Sequence, residues 1–250
     1  MKKRRRWFAY LLLFGISLAV GGWLGFKFGE FGKAPPATEF PISTEAPRPD
    51  QRSLLIVGVD RVDSMEARLQ GVWYVVYRQN LPRITLIPLY PALPGSDSSR
   101  QSRLEDGFRM RSDGVVDPAF FRLARDSFSI SWDGHVLLDE IAMIEIVDFF
   151  GGIEINGERI SGPLAVGAIP QAKDRSPDAV LQQAFLLEAL CQDITFESAP
   201  KTYEKILSLI PDHLQTELTR DEAFNDWLGL LSSGDPLLCE FPSLRPTPTP

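Results

Sequence analysis

Residues 7–26 (WFAYLLLFGISLAVGGWLGF) form a run of twenty without a charged side chain. At about 1.5 Å per helical residue such a run reaches about 30 Å, the thickness of a bilayer's hydrocarbon core. Lipid offers no partners to backbone polar groups, so a helix is the expected structure there. Lys2, Lys3, Arg4, Arg5 and Arg6 precede it, and Trp7, Tyr10 and Trp23 lie near its ends. The pattern predicts a single span over 7–26 with the basic stub 1–6 in the cytoplasm and the rest outside. A cleaved signal peptide is the competing expectation, against which stand the length of the run and the lack of an A-x-A site. Gly21, Gly25 and Gly29 recur every four residues, the spacing of a close helix–helix face, although glycine is common in membrane helices generally.

Beyond the run the apolar segments shorten and change period. Residues 53–59 (SLLIVGV) read as a buried strand. Residues 72–78 (VWYVVYR) and 83–88 (RITLIP), separated by the turn 79–82 (QNLP), read as a hairpin. From about 89 to 114 the chain is polar and loop-like. Asp117 and Pro118 then start a helix, as N-cap and first helical residue, running to about Asp126. Residues 128–132 suggest a short strand. Leu138, Ile141, Ile144, Val147 and Phe150 recur at helical spacing across 137–150, and Gly151-Gly152 supplies the left-handed stop. A strand at 153–156 leads to the turn Asn156-Gly157. Residues 177–191, 199–209 and 220–231 read as helices. Early strands with helices mixed throughout predict an α/β fold, a three-layer-like sandwich with a central mixed β-sheet flanked by helices, preceded by one transmembrane helix.

Proline sets the borders. Residues 27–52 are rich in Pro, Ala, Thr and Glu, which makes a stiff, solvated spacer, and 245–250 (RPTPTP) reads as a disordered tail. One domain over 53–244, on the extracytoplasmic side, is the expectation. The net charge is -7; with the stub's cations set aside, 21 Lys and Arg face 33 Asp and Glu. An acidic exterior domain argues against general binding of nucleic acid or of teichoic-acid-like polyanions. Arg100, Arg103, Arg109 and Arg111 form one basic stretch, either an anion site or a solvated face. Cys191 and Cys239 lie on the oxidising side and are candidates for a disulfide worth roughly 4 kcal/mol; two separate buried thiols are the alternative. The two histidines, His135 and His213, lack ligand spacing for zinc. No nucleophile motif, phosphate-binding loop or dinucleotide fingerprint occurs.

Three segments carry a resemblance: LLIVGVD ending at Asp60, followed by Arg68 and the VWYVVY strand; ITLIP at 84–88; and IVDFFGGIEING at 146–157. Together they resemble the LytR-CpsA-Psr family of bacterial cell-envelope proteins, the last being similar to its V-D-x-x-G-G-V-x-V motif. The resemblance covers about residues 53–190. It implies transfer of a glycopolymer from a polyprenyl-pyrophosphate carrier to peptidoglycan, with arginines on the pyrophosphate and acidic residues on Mg²⁺. It makes Asp60 a candidate ligand for Mg²⁺ and for the carrier, Arg68 a candidate catalytic and ligand-binding residue, and Gln182 a candidate ligand contact. Departures are numerous. Gln70 replaces the acid of R-x-D, and Leu89 and Tyr90 replace the arginine and aspartate of S-I-P-R-D. Residues 164–173 hold none of the Y-x-R-x-R arginines. Asp178 and Leu181 stand where R-x-x-R-Q has arginines, with Gln182 kept. Other arginines, such as Arg61, Arg122, Arg125 or Arg175, are candidates to take over.

Each lost charge-assisted phosphate contact removes about 1.5–3 kcal/mol. The sequence therefore points first to a divergent, non-catalytic, membrane-anchored binder of a polyprenyl-linked lipid or of peptidoglycan, with no cofactor. The alternatives are an active Mg²⁺-dependent phosphotransferase with a rearranged anion site, and an exterior protein-interaction domain in which Asp60 and Arg68 are a surface pair.

Overall fold

Buried and partly buried side chains alternate along Gln51–Val59 (β1) from Ser53 onward and along the second half of Leu69–Arg78 (β2), whereas Arg83–Tyr90 (β3) ends in three buried residues. The structure, a computed structural model, describes residues 50–78, 81–91, 98–155, 157–170, 177–194, 199–231, 235 and 237–242, all within the compact unit Glu39–Pro250. The stub 1–6, the apolar run 7–26, most of the spacer and the tail 245–250 lie outside the described residues. Among those described, no helix is long and apolar enough to cross a membrane.

The remaining elements are α1 (Ser98–Gly107), α2 (Pro118–Phe128), β4 (Gly134–Asp139), α3 (Glu140–Phe149), β5 (Ile153–Ile155), β6 (Glu158–Ile160), α4 (Gly162–Gly167), α5 (Pro177–Asp193), α6 (Ala199–Ser208), β7 (Leu214–Thr216), α7 (Arg220–Leu231) and β8 (Leu238–Glu240). Six strands make one mixed sheet in the order β7-β4-β1-β2-β3-β8, and β5 and β6 form a separate hairpin. β1 runs antiparallel to β2 and parallel to β4. β2 and β3 are the antiparallel hairpin expected from their sequence. β3 and β8 are parallel, and β4 and β7 antiparallel.

Because side chains alternate along a strand, β1 feeds two cores. Leu55, Val57 and Val59 pack with Val72, Tyr90 and Leu137 against Leu104 of α1 and Phe120 and Ala124 of α2. Leu54 and Ile56 turn the other way, toward Trp73, Val75 and Tyr77, which meet Val180 and Ala184 of α5 and Leu230 and Leu231 of α7. Helices thus cover both faces of the sheet. A third cluster gathers Val147, Ile153, Ala165, Leu186 and Leu190 around the β5–β6 hairpin. The disulfide Cys191–Cys239 ties the end of α5 to β8, its Cα atoms 6.1 Å apart.

Three sequence expectations are corrected. Residues 128–132 are not a strand; Phe128 ends α2 and Ser129 takes a left-handed φ of 54°. The strand begins later, at Gly134, and takes the first three residues of the segment read as helix 137–150. Its parallel pairing with β1 runs from Leu54↔Gly134 to Val59↔Asp139. The change comes at Asp139, whose carboxylate accepts from the Ala142 amide at 2.9 Å and so caps α3. Finally, α1 occupies part of the polar stretch read as loop. It buries little besides Leu104, so its apolar period is faint. The stop at Gly151 and Gly152 is as expected, with φ of 76° and 93° and amides donating to Asp148 O and Val147 O.

Candidate binding site at the carboxyl ends of two parallel strands

β1 and β4 are parallel neighbours and end at the same level, Val59 opposite Asp139. In open α/β sheets that edge is where ligands bind, because the connections leaving it are free to carry side chains. Here it carries charge. Asp60 follows β1 directly, and a bulge between Gly58 and Val59 turns the end of the strand.

Asp60 and Arg68 close the β1–β2 loop with three bonds. The Asp60 amide donates to Arg68 O at 3.1 Å. In return, the Arg68 amide donates to Asp60 Oδ1 at 2.7 Å and its Nε to Oδ2 at 2.8 Å. Partial burial pushes the Asp60 carboxyl up, but the amide, the guanidinium bond and the charge of Arg68 together hold it below its ordinary value. The Asp60 side chain is 19% exposed and that of Arg68 57%. Only Nε is committed to Asp60, so the terminal guanidinium nitrogens remain available to an anion. Inside the same loop, Arg61 donates through Nε and Nη2 to Asp63, at 3.0 and 2.9 Å.

At the end of β4, Asp139 is buried and bonded on both oxygens: Oδ1 caps α3, and Oδ2 lies 3.1 Å from His213 Nδ1. Asp139 lies within electrostatic reach of Arg61, and His213 within reach of Asp63, so the two pairs share one neighbourhood. Neither Asp139 nor His213 stood out in the sequence. An aspartate three residues before an amide-bearing Ala142, ahead of an apolar run, was the available cap signal.

Gln182 is exposed on α5. The amide that meets the sheet belongs to its neighbour: Gln183 accepts from Trp73 Nε1 at 3.0 Å and donates to Gln70 O at 2.9 Å. Gly71 makes this approach feasible, since a Cβ there would stand 3.1 Å from Gln183 Oε1. Gln70, at the position of the missing acid, therefore receives α5 through its backbone.

The other positions singled out by the resemblance are apolar or exposed. Leu89 and Tyr90 are core residues, packed with Val72 and Leu104. Leu164 points to solvent from α4 while Ala165 is buried, and Asp178 is exposed. Of the remaining cations, Arg122 is exposed, Arg125 lies 4.8 Å over the Trp132 ring, and Arg175 is outside the described residues. On the basic stretch, Arg111 pairs with Asp113 at 2.9 Å and Arg109 bonds Phe108 O, with Arg100 and Arg103 exposed on α1.

Magnesium wants near-octahedral oxygen ligation from one or two carboxylates with substrate phosphates. Asp60 offers one carboxylate, already bonded by Arg68 on both oxygens, and its neighbour in the motif is Gln70. Among the described residues, no three His, Cys, Asp or Glu side chains gather closely enough to hold a metal. The residues present do not fit the ion.

No family model matches the sequence, and no curated protein matches it. Solved structures do match the fold. TagV from B. subtilis superposes with a TM-score of 0.50 at 15% identity, over 77% of this chain and 85% of that one. TagT bound to LIIa-WTA gives 0.50 and 15%, over 80% and 81%. Protein gbs0355 from Streptococcus agalactiae gives 0.50 and 16%, over 72% and 74%. At such identities the likeness establishes the fold, a mixed α/β domain with a six-stranded central sheet.

Proposed function

We propose that this chain is a divergent LytR-CpsA-Psr-like domain of the cell envelope, anchored by residues 7–26 with its folded part outside. In this reading it binds a polyprenyl-linked or cell-wall component at the carboxyl edge of β1 and β4 without transferring it. Two lines support the kinship: the fold it shares with TagV and TagT, both of that family, and the IVDFFGGIEING segment. The loss of transfer rests on one observation. Leu89 and Tyr90, at the positions of the family's arginine and aspartate, are buried in the core, where no pyrophosphate reaches.

Arg68 favours retained binding. Its terminal nitrogens suit one phosphate, and Asp60 holds the side chain in place. The full chain in lipid nanodiscs, titrated with a polyprenyl-pyrophosphate analogue, is expected to bind saturably and release no phosphate with or without Mg²⁺. Arg68→Ala is expected to weaken binding about tenfold, the worth of one charged contact. Mg²⁺-dependent phosphate release that disappears in Asp60→Ala would establish the transferase instead. No binding at all would leave an exterior interaction domain.

A further inference from the structure

Both histidines of the chain sit at the ends of one strand pairing. β7 holds to β4 over three residues, Val136↔Thr216, Leu137↔Gln215 and Leu138↔Leu214. Continuing that register by one residue at each end brings His135 opposite Glu217, and Asp139 opposite His213. Both pairs are bonded. His135 Nδ1 lies 3.0 Å from Glu217 Oε1, and His213 Nδ1 lies 3.1 Å from Asp139 Oδ2. The donors are crossed, one histidine on β4 and the other just ahead of β7. Each end also has a backbone or hydroxyl bond: the Asp139 amide donates to His213 O at 3.1 Å, and Thr216 Oγ1 to His135 O at 2.9 Å.

We infer that the two histidine–carboxylate pairs form a pH-sensitive latch on the edge strand β7. Histidine changes charge between about pH 5 and 8. A neutral ring donates an ordinary N–H bond to a carboxylate; a protonated ring donates a charge-assisted one, roughly twice as strong. The latch is therefore tight on the acid side of that range and looser on the alkaline side. A three-residue edge strand has few bonds of its own, so its two end pairs carry a large share of its attachment.

Other charged groups stand near both rings. His213 faces Asp139 from β4, with Asp63 and Arg61 of the β1–β2 loop beyond, the two bonded to each other. His135 faces Glu217 and lies 4.2 Å from the Phe121 ring of α2, which also meets Trp132, the ring beneath Arg125. Asp139 joins the latch to the edge that bears Asp60 and Arg68, since it ends β4 opposite Val59. Loosening of β7 would alter the charge beside that edge whether or not a ligand is bound there.

Hydrogen exchange of the full chain in nanodiscs reads the latch directly. After correction for intrinsic base catalysis, protection of the 209–218 segment is expected to fall on the order of tenfold between pH 6 and pH 8. Protection of β1 and β2 is expected to hold. The fall should flatten in the His135→Gln, His213→Gln double variant. Glu217→Gln, at an exposed carboxylate, removes one pair without touching the interior; it is expected to lessen the fall. An unchanged pH profile in Glu217→Gln, or an equal loss of protection across the whole sheet, would overturn the latch.

Discussion

Arg68 donates to one carboxylate from both its backbone and its side chain, so Asp60 does more than neutralise a charge: it sets the shape of the β1–β2 loop. Removing it leaves the Arg68 amide without its acceptor. Asp60→Ala is expected to lower stability by about 1–2 kcal/mol in urea unfolding, the low end for charged bonds because the arginine is largely exposed. The pH dependence has a definite sign. The folded protein holds this carboxyl more acidic than the unfolded chain does, so on acidification the unfolded chain takes the proton first. The contribution is whole above the ordinary aspartate range and is lost as pH falls through the depressed folded value. The gap between native protein and variant should therefore close in acid. Residue chemistry of this kind was partly legible: Asp60 and Arg68 were singled out by their motif. The Asp139–His213 pair and Gln183 were not, because their bonds join residues 74 to 113 positions apart.

Among the elements, the stretches that follow one period over many residues read truly. The β2–β3 hairpin, the Asp117-Pro118 helix start and the Gly151-Gly152 stop all stand where local chemistry puts them. The misplaced boundary between β4 and α3 falls where two elements abut without a breaker. Nothing in LLDEIAMIEIV separates β4 from α3 except Asp139, which suits a helix interior poorly but a cap well. β7 and β8 span three residues each, too few for any alternation to register. Packing between elements is also stricter than sequence suggests. α4 meets α3 at Gly162, whose amide donates to Asp148 Oδ1 at 2.6 Å and whose missing Cβ would collide with the Ile144 carbonyl. Gly162→Ala is expected to cost about 1–3 kcal/mol through displacement of α4, visible as a lower urea midpoint with an unchanged slope.

Across the whole molecule, one covalent link joins a covering helix to the edge of the sheet. Cys191 and Cys239 are 48 positions apart, and loop closure of that length is worth about 4 kcal/mol in the chain-entropy model. Reduction, or the Cys191→Ser, Cys239→Ser variant, is expected to lower unfolding free energy by about that amount, with β8 losing exchange protection first.

The burial of Leu89 and Tyr90 also bears on any attempt to engineer an anion site there. An arginine and an aspartate placed at those sites would enter a dry interior, at several kcal/mol per ion, rather than a solvent-facing cleft. Either substitution would fail as a folding defect before new chemistry could be assayed, so this stretch of the sheet is closed to redesign one residue at a time.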